Sequence, residues 1–395
     1  MLSIRLVKVL LYTLLLVLVF DLQILAERNQ IHDINIVILI YSVFISYRFR
    51  YIKWHKYIIT YCVFVIMSCI TSVIINHQPL LEVLRATYPY VGVLSFYLCA
   101  KENLSSNETL ILLKVISYIF CICYFFQWLI YPEILFIGVD EFAGNQYRAR
   151  MAGSLCCFIL IFYGVNRYII NKKMKELIIS LIGLFPAIMM GFRSVLASTV
   201  LFLIIMVLNM TKNMKRSYLS MVGLLIFAYF VYQTPIVQEK LNDMSERNET
   251  DNFQNEDYVR YASFFYYEID FQQNIIERIF GGGIPLVDRE AGPLTPGNKY
   301  QNLVSNAYDL GLYWNDLGII GLSNMIGIPA IITLIILIAL SFKECSDEQL
   351  MFIRYMLVAI LLASIMTSQE IYRHGNFVIM GLLFYYIYIY KQEKA

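Results

Sequence analysis

The strongest constraint on this chain is a series of apolar runs, each long enough to form a helix that crosses a lipid bilayer. A helix of about 20 residues spans the hydrocarbon core, and runs of this kind lie near 6–26, 32–47, 57–76, 80–100, 109–130, 151–168, 177–191, 194–210, 217–233, 315–340, 350–367 and 376–390. They are continuous rather than striped at helical spacing, the pattern of a span and not of one face of a soluble helix. Composition agrees. The chain is 59% hydrophobic and 15% charged, against about 25% charged in a soluble globular protein. The expected fold is an all-α polytopic membrane protein with about 12 transmembrane helices.

Orientation follows from the basic connections. With the N-terminus inside, the cytoplasmic segments read "SIRLVK", "YRFRYIKWHK", "KENLSSNE", "NRYIINKKMKE", "TKNMKR", "SFKECSDEQ" and "KQEKA", nearly all carrying Lys or Arg. An even number of spans places both termini in the cytoplasm. Arg5 and Lys8 precede the first apolar run as in a signal peptide, but no convincing small-residue cleavage site follows, so the run reads as an uncleaved first helix. The net charge of +2 gives no indication of nucleic-acid binding. All eight cysteines fall in spans or cytoplasmic loops and read as packing residues, with no disulfide framework expected.

One connection stands apart. Residues 234–314 form a large extracytoplasmic loop, dividing the chain into a membrane bundle at 1–233 and a second at 315–395. The loop begins with the acidic, solvated stretch "QEKLNDMSERNETDNFQNED". Tyr258, Tyr261, Phe265, Ile269, Ile276 and Phe280 then recur at helical spacing, which predicts an amphipathic helix lying on the membrane face or over the bundle. "GGGIP" ends that helix, and a Gly/Pro-rich section follows. Loops of this length are usually functional. The sequons at Asn103, Asn107 and Asn248 carry no argument, since two of them fall on the cytoplasmic side.

Arginine marks the outer face. Arg193 stands between two apolar runs in "MMGFRSVLASTVLFLI", and an arginine at the bilayer centre costs about 2.5–3.5 kcal/mol on insertion scales. In this topology it opens the eighth span at the outer edge. Arg148, Arg150, Arg260, Arg278, Arg289 and Arg373 share that side, against the usual preference for basic residues inside. A guanidinium donates two parallel hydrogen bonds and stays charged, which suits phosphate. A single outside arginine also snorkels to water or pairs with an acid, and Glu133, Asp140 and Glu141 stand near Arg148 and Arg150.

Four stretches in order resemble a known family. They are "RMAGSL" at 150–155, "GFRSVLAS" from Gly191, "VRYASFF…ERIFGGGIP" in the loop, and "SNAYDLGLYWNDLGIIGL" at 305–322. Together with the topology they resemble the bacterial O-antigen and capsular polysaccharide polymerases, within the O-antigen polymerase/ligase superfamily. One departure matters: ligases carry a histidine just before the Asn-x-Tyr of the last stretch, and Ser305 stands there. That favours the polymerase.

The resemblance implies a fold similar to membrane GT-C-like glycosyltransferases, located in the cytoplasmic (inner) membrane of a bacterium. The implied substrate is an oligosaccharide on undecaprenyl pyrophosphate, with membrane lipid, a chain-length regulator and a flippase as further partners. The acceptor hydroxyl would displace pyrophosphate at the anomeric carbon, with arginines stabilising the departing charge. Neither metal nor cofactor is expected. Arg193 and Arg260 lead as pyrophosphate ligands, with Arg150 next, then Arg278, Arg289 and Arg373. Asp316 is the favoured catalytic base, with Asp257 and Asp270 behind it. A carboxylate at Asp316 also suits a helix N-terminus for dipole reasons alone. The alternatives are a flippase or other transporter of the same lipid-linked unit, and the ligase. A transporter often repeats its halves, whereas here the long loop falls about nine spans in.

Overall fold

Every regular element among the described residues is a helix. The computed structural model describes residues 2–20, 28–130, 151–190, 193–210, 262–272, 274–284, 312, 314–365 and 375–395, and at 2–7, 28–31, 193, 315 and 316 the backbone alone. The helices are α1 (Leu2–Phe20), α2 (Arg28–Ser46), α3 (Lys53–Ile74), α4 (Leu80–Thr87), α5 (Ser95–Lys101), α6 (Ser106–Ile130), α7 (Leu155–Asn171), α8 (Lys175–Met190) and α9 (Arg193–Met210). In the second half they are α10 (Ile275–Phe280), α11 (Gly318–Ile326), α12 (Ile328–Glu344), α13 (Met351–Ser364) and α14 (Asn376–Lys394). The run at 217–233 lies outside the described residues.

Two of these helices, α3 and α6, are long and apolar enough by themselves to cross a membrane. Their outward faces are apolar too. Val63, Ile66, Ile70 and Ile74 on α3, and Ile111, Val115, Ile122 and Leu129 on α6, are exposed in helical rows. Ile328, Ile332, Ile335 and Ile336 continue the pattern on α12. Contiguous exposed apolar surface of this kind is uncommon on a soluble monomer and marks contact with membrane or partner.

The helix ends sort into two groups. At one end Lys8 pairs with Glu108, Lys53 with Glu344 at 2.8 Å and Lys394 with Asp347, while Arg167 donates to Gln349 Oε1 at 2.8 Å. Tyr385 Oη donates to the Leu104 carbonyl at 2.8 Å, and Ser106 bonds Glu393. The opposite end joins Asp33 to Arg85, Asn76 to Gly282 and Ser154 to Asn376. Taken with α4–α5 and α11–α12 each as one interrupted rod, the described helices therefore alternate in direction, and the basic connections gather at one end.

Asp347 anchors the tail of α14 at that basic end. Burial pushes its carboxyl up, but hydrogen bonds from Lys394, the Gln349 backbone and Tyr390 Oη outweigh this and hold it below the usual carboxylate value. A depressed folded pKa contributes stability that is present above about pH 4 and lost as pH falls through the folded value. Acidification from pH 7 to pH 3 is therefore expected to lower the melting temperature less in Asp347→Asn than in the unaltered protein. The effect is small, because Lys394 is largely exposed.

α14 runs through the middle of the bundle. Every residue from Asn376 to Ile387 is buried, as expected of a helix apolar on all sides. Phe377 stacks on Tyr61 with centroids 5.8 Å apart, and Phe384 on Trp54 at 5.2 Å. Here the run expected at 80–100 departs from a plain helix: residues 88–94 are 3₁₀ between α4 and α5. Pro89 removes one donor and obstructs the carbonyl four residues back. Gly92 then lets α14 approach, since a Cβ there would lie 2.9 Å from Val378 N. Ser95 Oγ donates to the Val378 carbonyl at 2.8 Å and completes the contact.

The run expected at 315–340 is also broken. Gly327 (φ 90°) separates α11 from α12, and Pro329 follows. An unbroken helix would pair the carbonyls of Asn324 and Met325 with the N–H groups of residues 328 and 329. Proline has none, and the turn at Gly327 removes the other. Elsewhere the second span, expected at 32–47, starts earlier, at Arg28.

Candidate functional site

The donors missing at the α11–α12 break come from the large loop. Gly282 N donates to Asn324 O and Gly283 N to Met325 O, both at 2.9 Å. Gln272 Nε2 bonds Asn324 O at 3.1 Å and Asn324 Oδ1 at 3.2 Å, and Asn76 Nδ2 at the end of α3 holds the Gly282 carbonyl at 3.0 Å. The loop here is therefore not a separate unit. Its short helix α10 packs against α3, α11 and α12.

Local sequence explains the shape. Asn274 and Glu277 form a reciprocal capping box, with Asn274 Oδ1 accepting from Glu277 N at 2.9 Å and Glu277 Oε2 from Asn274 N at 3.2 Å. Gly281 then turns the chain at φ 83° and ψ 156°, nearly the conformation of Gly327 opposite (φ 90°, ψ 152°). Upstream, the amphipathic helix is not continuous. Tyr266–Phe271 is π-helical, and the chain breaks before α10. Tyr267 and Phe271 face inward, with Tyr267 Oη donating to the Leu312 carbonyl at 3.1 Å. Phe265, Ile269 and Ile276, three of the residues expected on one stripe, are exposed, and Tyr258 and Tyr261 lie outside the described residues.

A second junction sits at the same end. Asn376, fully buried at the start of α14, accepts from Leu155 N at 3.0 Å and donates to Ser154 Oγ at 3.1 Å. It ties the segment "RMAGSL" to "IYRHGN", more than 200 positions apart.

The predicted site residues fall as follows. Arg278 is on α10, exposed, with Nε donating to the Gln272 carbonyl at 3.4 Å, beside the glycine turn. Arg193 is the first residue of α9 and Asp316 lies in the 3₁₀ turn Trp314–Leu317, each described by its backbone alone. Arg150, Arg260, Arg289 and Arg373 lie outside the described residues, as do Arg148 and Asp257. Asp270 is exposed. All eight cysteines are free, seven of them buried.

The sequence reading passed over Arg85. It sits on α4, and Nε and Nη2 form a two-pronged pair with Asp33 Oδ1 and Oδ2 at 2.9 and 2.8 Å. Its signal was an arginine within an apolar run, matched by an aspartate one residue inside the second span. His32 packs beside it against Tyr88, ring centroids 5.2 Å apart. The pair already satisfies Arg85 and reads as a clamp between α2 and α4. Because the Asp33 side chain is 45% exposed, a double-mutant cycle over Arg85→Ala and Asp33→Ala is expected to give a coupling below about 1 kcal/mol.

No protein-family model and no curated protein matches this chain.

Proposed function

We propose that this chain is a multi-pass membrane glycosyltransferase that polymerises undecaprenyl-pyrophosphate-linked oligosaccharide repeats into a surface polysaccharide, O-antigen or capsule. It acts at the outer face of the cytoplasmic membrane, with about 12 spans and both termini inside. The observation that carries the reading is the meeting of the resembling stretches. "ERIFGGGIP" is bonded through Gly282 and Gly283 to α11, the helix that carries "GIIGL", on one end of the bundle. "RMAGSL" is bonded through Ser154 and Leu155 at the end where Asn76 and Gly282 also meet. The clustering of basic connections at the other end supports the orientation.

In this reading Arg193 and Arg260 hold the pyrophosphate, supported by Arg150, Arg278, Arg289 and Arg373. The acceptor hydroxyl oxygen bonds to the anomeric carbon of the growing chain as the bond from that carbon to the pyrophosphate oxygen breaks. The electron pair leaves with undecaprenyl pyrophosphate, whose charge the arginines stabilise. The hydroxyl proton passes to Asp316.

Two broken helices favour a second reading. Interrupted spans such as 80–101 and 318–344 also build the substrate sites of transporters, which keeps a flippase of the same lipid-linked unit in contention. A gel of surface polysaccharide separates them. Deleting the gene is expected to collapse a ladder to single repeats. The wild-type gene should restore the ladder and Arg193→Lys should not. Loss of every surface unit, with none singly attached, would instead indicate a flippase or ligase and remove the basis for the role of Arg193.

A further inference from the structure

The basic end of the bundle holds a cavity of about 250 Å³ that the proposed chemistry does not use. Three helix ends form it: Lys53 and Trp54 from the start of α3, Glu344 from the end of α12, and Ile387, Tyr388 and Lys391 from the last turns of α14. Its deep side is apolar. Trp54 and Ile387 are 3% and 0% exposed, and Trp54 is fixed against Phe384. Its cationic side carries two lysines against one carboxylate. Lys53 is held by Glu344 yet remains 54% exposed, and Lys391 reaches Ser346 Oγ at 3.4 Å. A lysine donates three hydrogen bonds, so both retain donors for a ligand.

The surroundings match a bilayer interface. Residues 47–56, "YRFRYIKWHK", carry four Lys or Arg and no acid. Tyr47 and Tyr51 are 69% and 83% exposed, and Arg50 lies over both rings at 4.9 and 4.8 Å. Aromatic rings and basic side chains gather at headgroup depth on the cytoplasmic side, and basic pockets between helices there accept anionic headgroups.

We propose that this cavity binds an anionic phospholipid of the inner leaflet, its phosphodiester between Lys53 and Lys391 and the first acyl methylenes against the half-buried Tyr388, with Trp54 and Ile387 as the packed floor beneath. The site rests on the membrane placement given above but not on the polymerase reading. An occupant would bridge α3, α12 and α14, so binding is read as resistance to unfolding.

The test is thermal unfolding of the purified full chain in neutral detergent with added phosphatidylglycerol, phosphatidylcholine or inorganic phosphate. Phosphatidylglycerol is expected to raise the melting temperature by about 5 °C, and the other two by far less. Lys391→Gln, which leaves the Lys53–Glu344 pair intact, should lose most of that shift, and Lys53→Gln with Lys391→Gln should lose all of it. Equal shifts with both lipids, or a phosphatidylglycerol shift that survives the double variant, would overturn the proposal. An equal shift with inorganic phosphate would assign the site to a soluble anion and overturn it too. A chain that stays soluble and folded without detergent would instead overturn the membrane placement. None of these outcomes depends on transfer activity.

Discussion

Gly281→Ala is expected to lower the unfolding free energy by about 2–6 kcal/mol, the sum of a backbone conformation reserved for glycine and an overpacked contact. At φ 83° and ψ 156° the residue lies where L side chains do not settle. An added Cβ would also meet the Met325 carbonyl and come within 2.6 Å of Gly327 N. These are backbone atoms, so no rotamer change relieves them. Gly327→Ala should behave alike, because its Cβ would lie 2.6 Å from the Phe280 carbonyl carbon. Gly282 is the control. It is not among the positive-φ glycines, and Gly282→Ala should change stability by less than about 1 kcal/mol. The measurement is the apparent melting temperature of each purified variant. If Gly281→Ala and Gly282→Ala shifted it equally, the loop would not be docked on the helix break.

Asn376→Leu is the second large effect, with an expected cost of about 2–5 kcal/mol for two buried hydrogen bonds lost. Leu155 N–H, at the start of α7, would lose its acceptor, and Ser154 Oγ would lose its donor. Ser154 and Asn376 are fully buried, so water does not replace either bond. Ser154→Ala removes only one bond of the pair and should cost about 1 kcal/mol. In the proposed function Asn376→Leu should also thin the polysaccharide ladder, because it unties the segments that follow Arg150 and Arg373. A stable Asn376→Leu protein with an unchanged melting temperature would remove the junction from the account.

Hydropathy made the helical class legible because apolar character is written into single residues. Leu, Ile and Phe report burial wherever they stand, and most of the apolar runs among the described residues became helices within a few positions. The breaks were less legible, although their local signals were present. Pro89 lies inside a run, Gly327 and Pro329 lie inside another, and "NIIE" ahead of "GGG" spells out the capping box and stop of α10. What a linear reading lacks is the identity of the partner. Nothing near Pro329 says that the orphaned Met325 carbonyl will be paired by Gly283, over 40 positions earlier. The amphipathic stripe failed for a related reason. "SFFYYEIDF" is apolar on more than one side, so periodicity alone did not decide that Tyr267 and Phe271 would turn inward and Phe265 and Ile269 outward. Arg85 was not legible because its partner Asp33 sits on a different helix, 52 positions away.

The central position of α14 has a bearing on the order of assembly. Its residues leave the ribosome after those of all the other described helices, yet Gly92, Ser95, Tyr61 and Phe96 are built to receive it. Val378, Gly381, Phe377 and Tyr385 take the places these residues leave. The contacts that hold α14 are therefore completed only after the other described helices have been made. Proteases would meet the chain in that interval, so its cellular lifetime is expected to depend on how fast α14 finds its place.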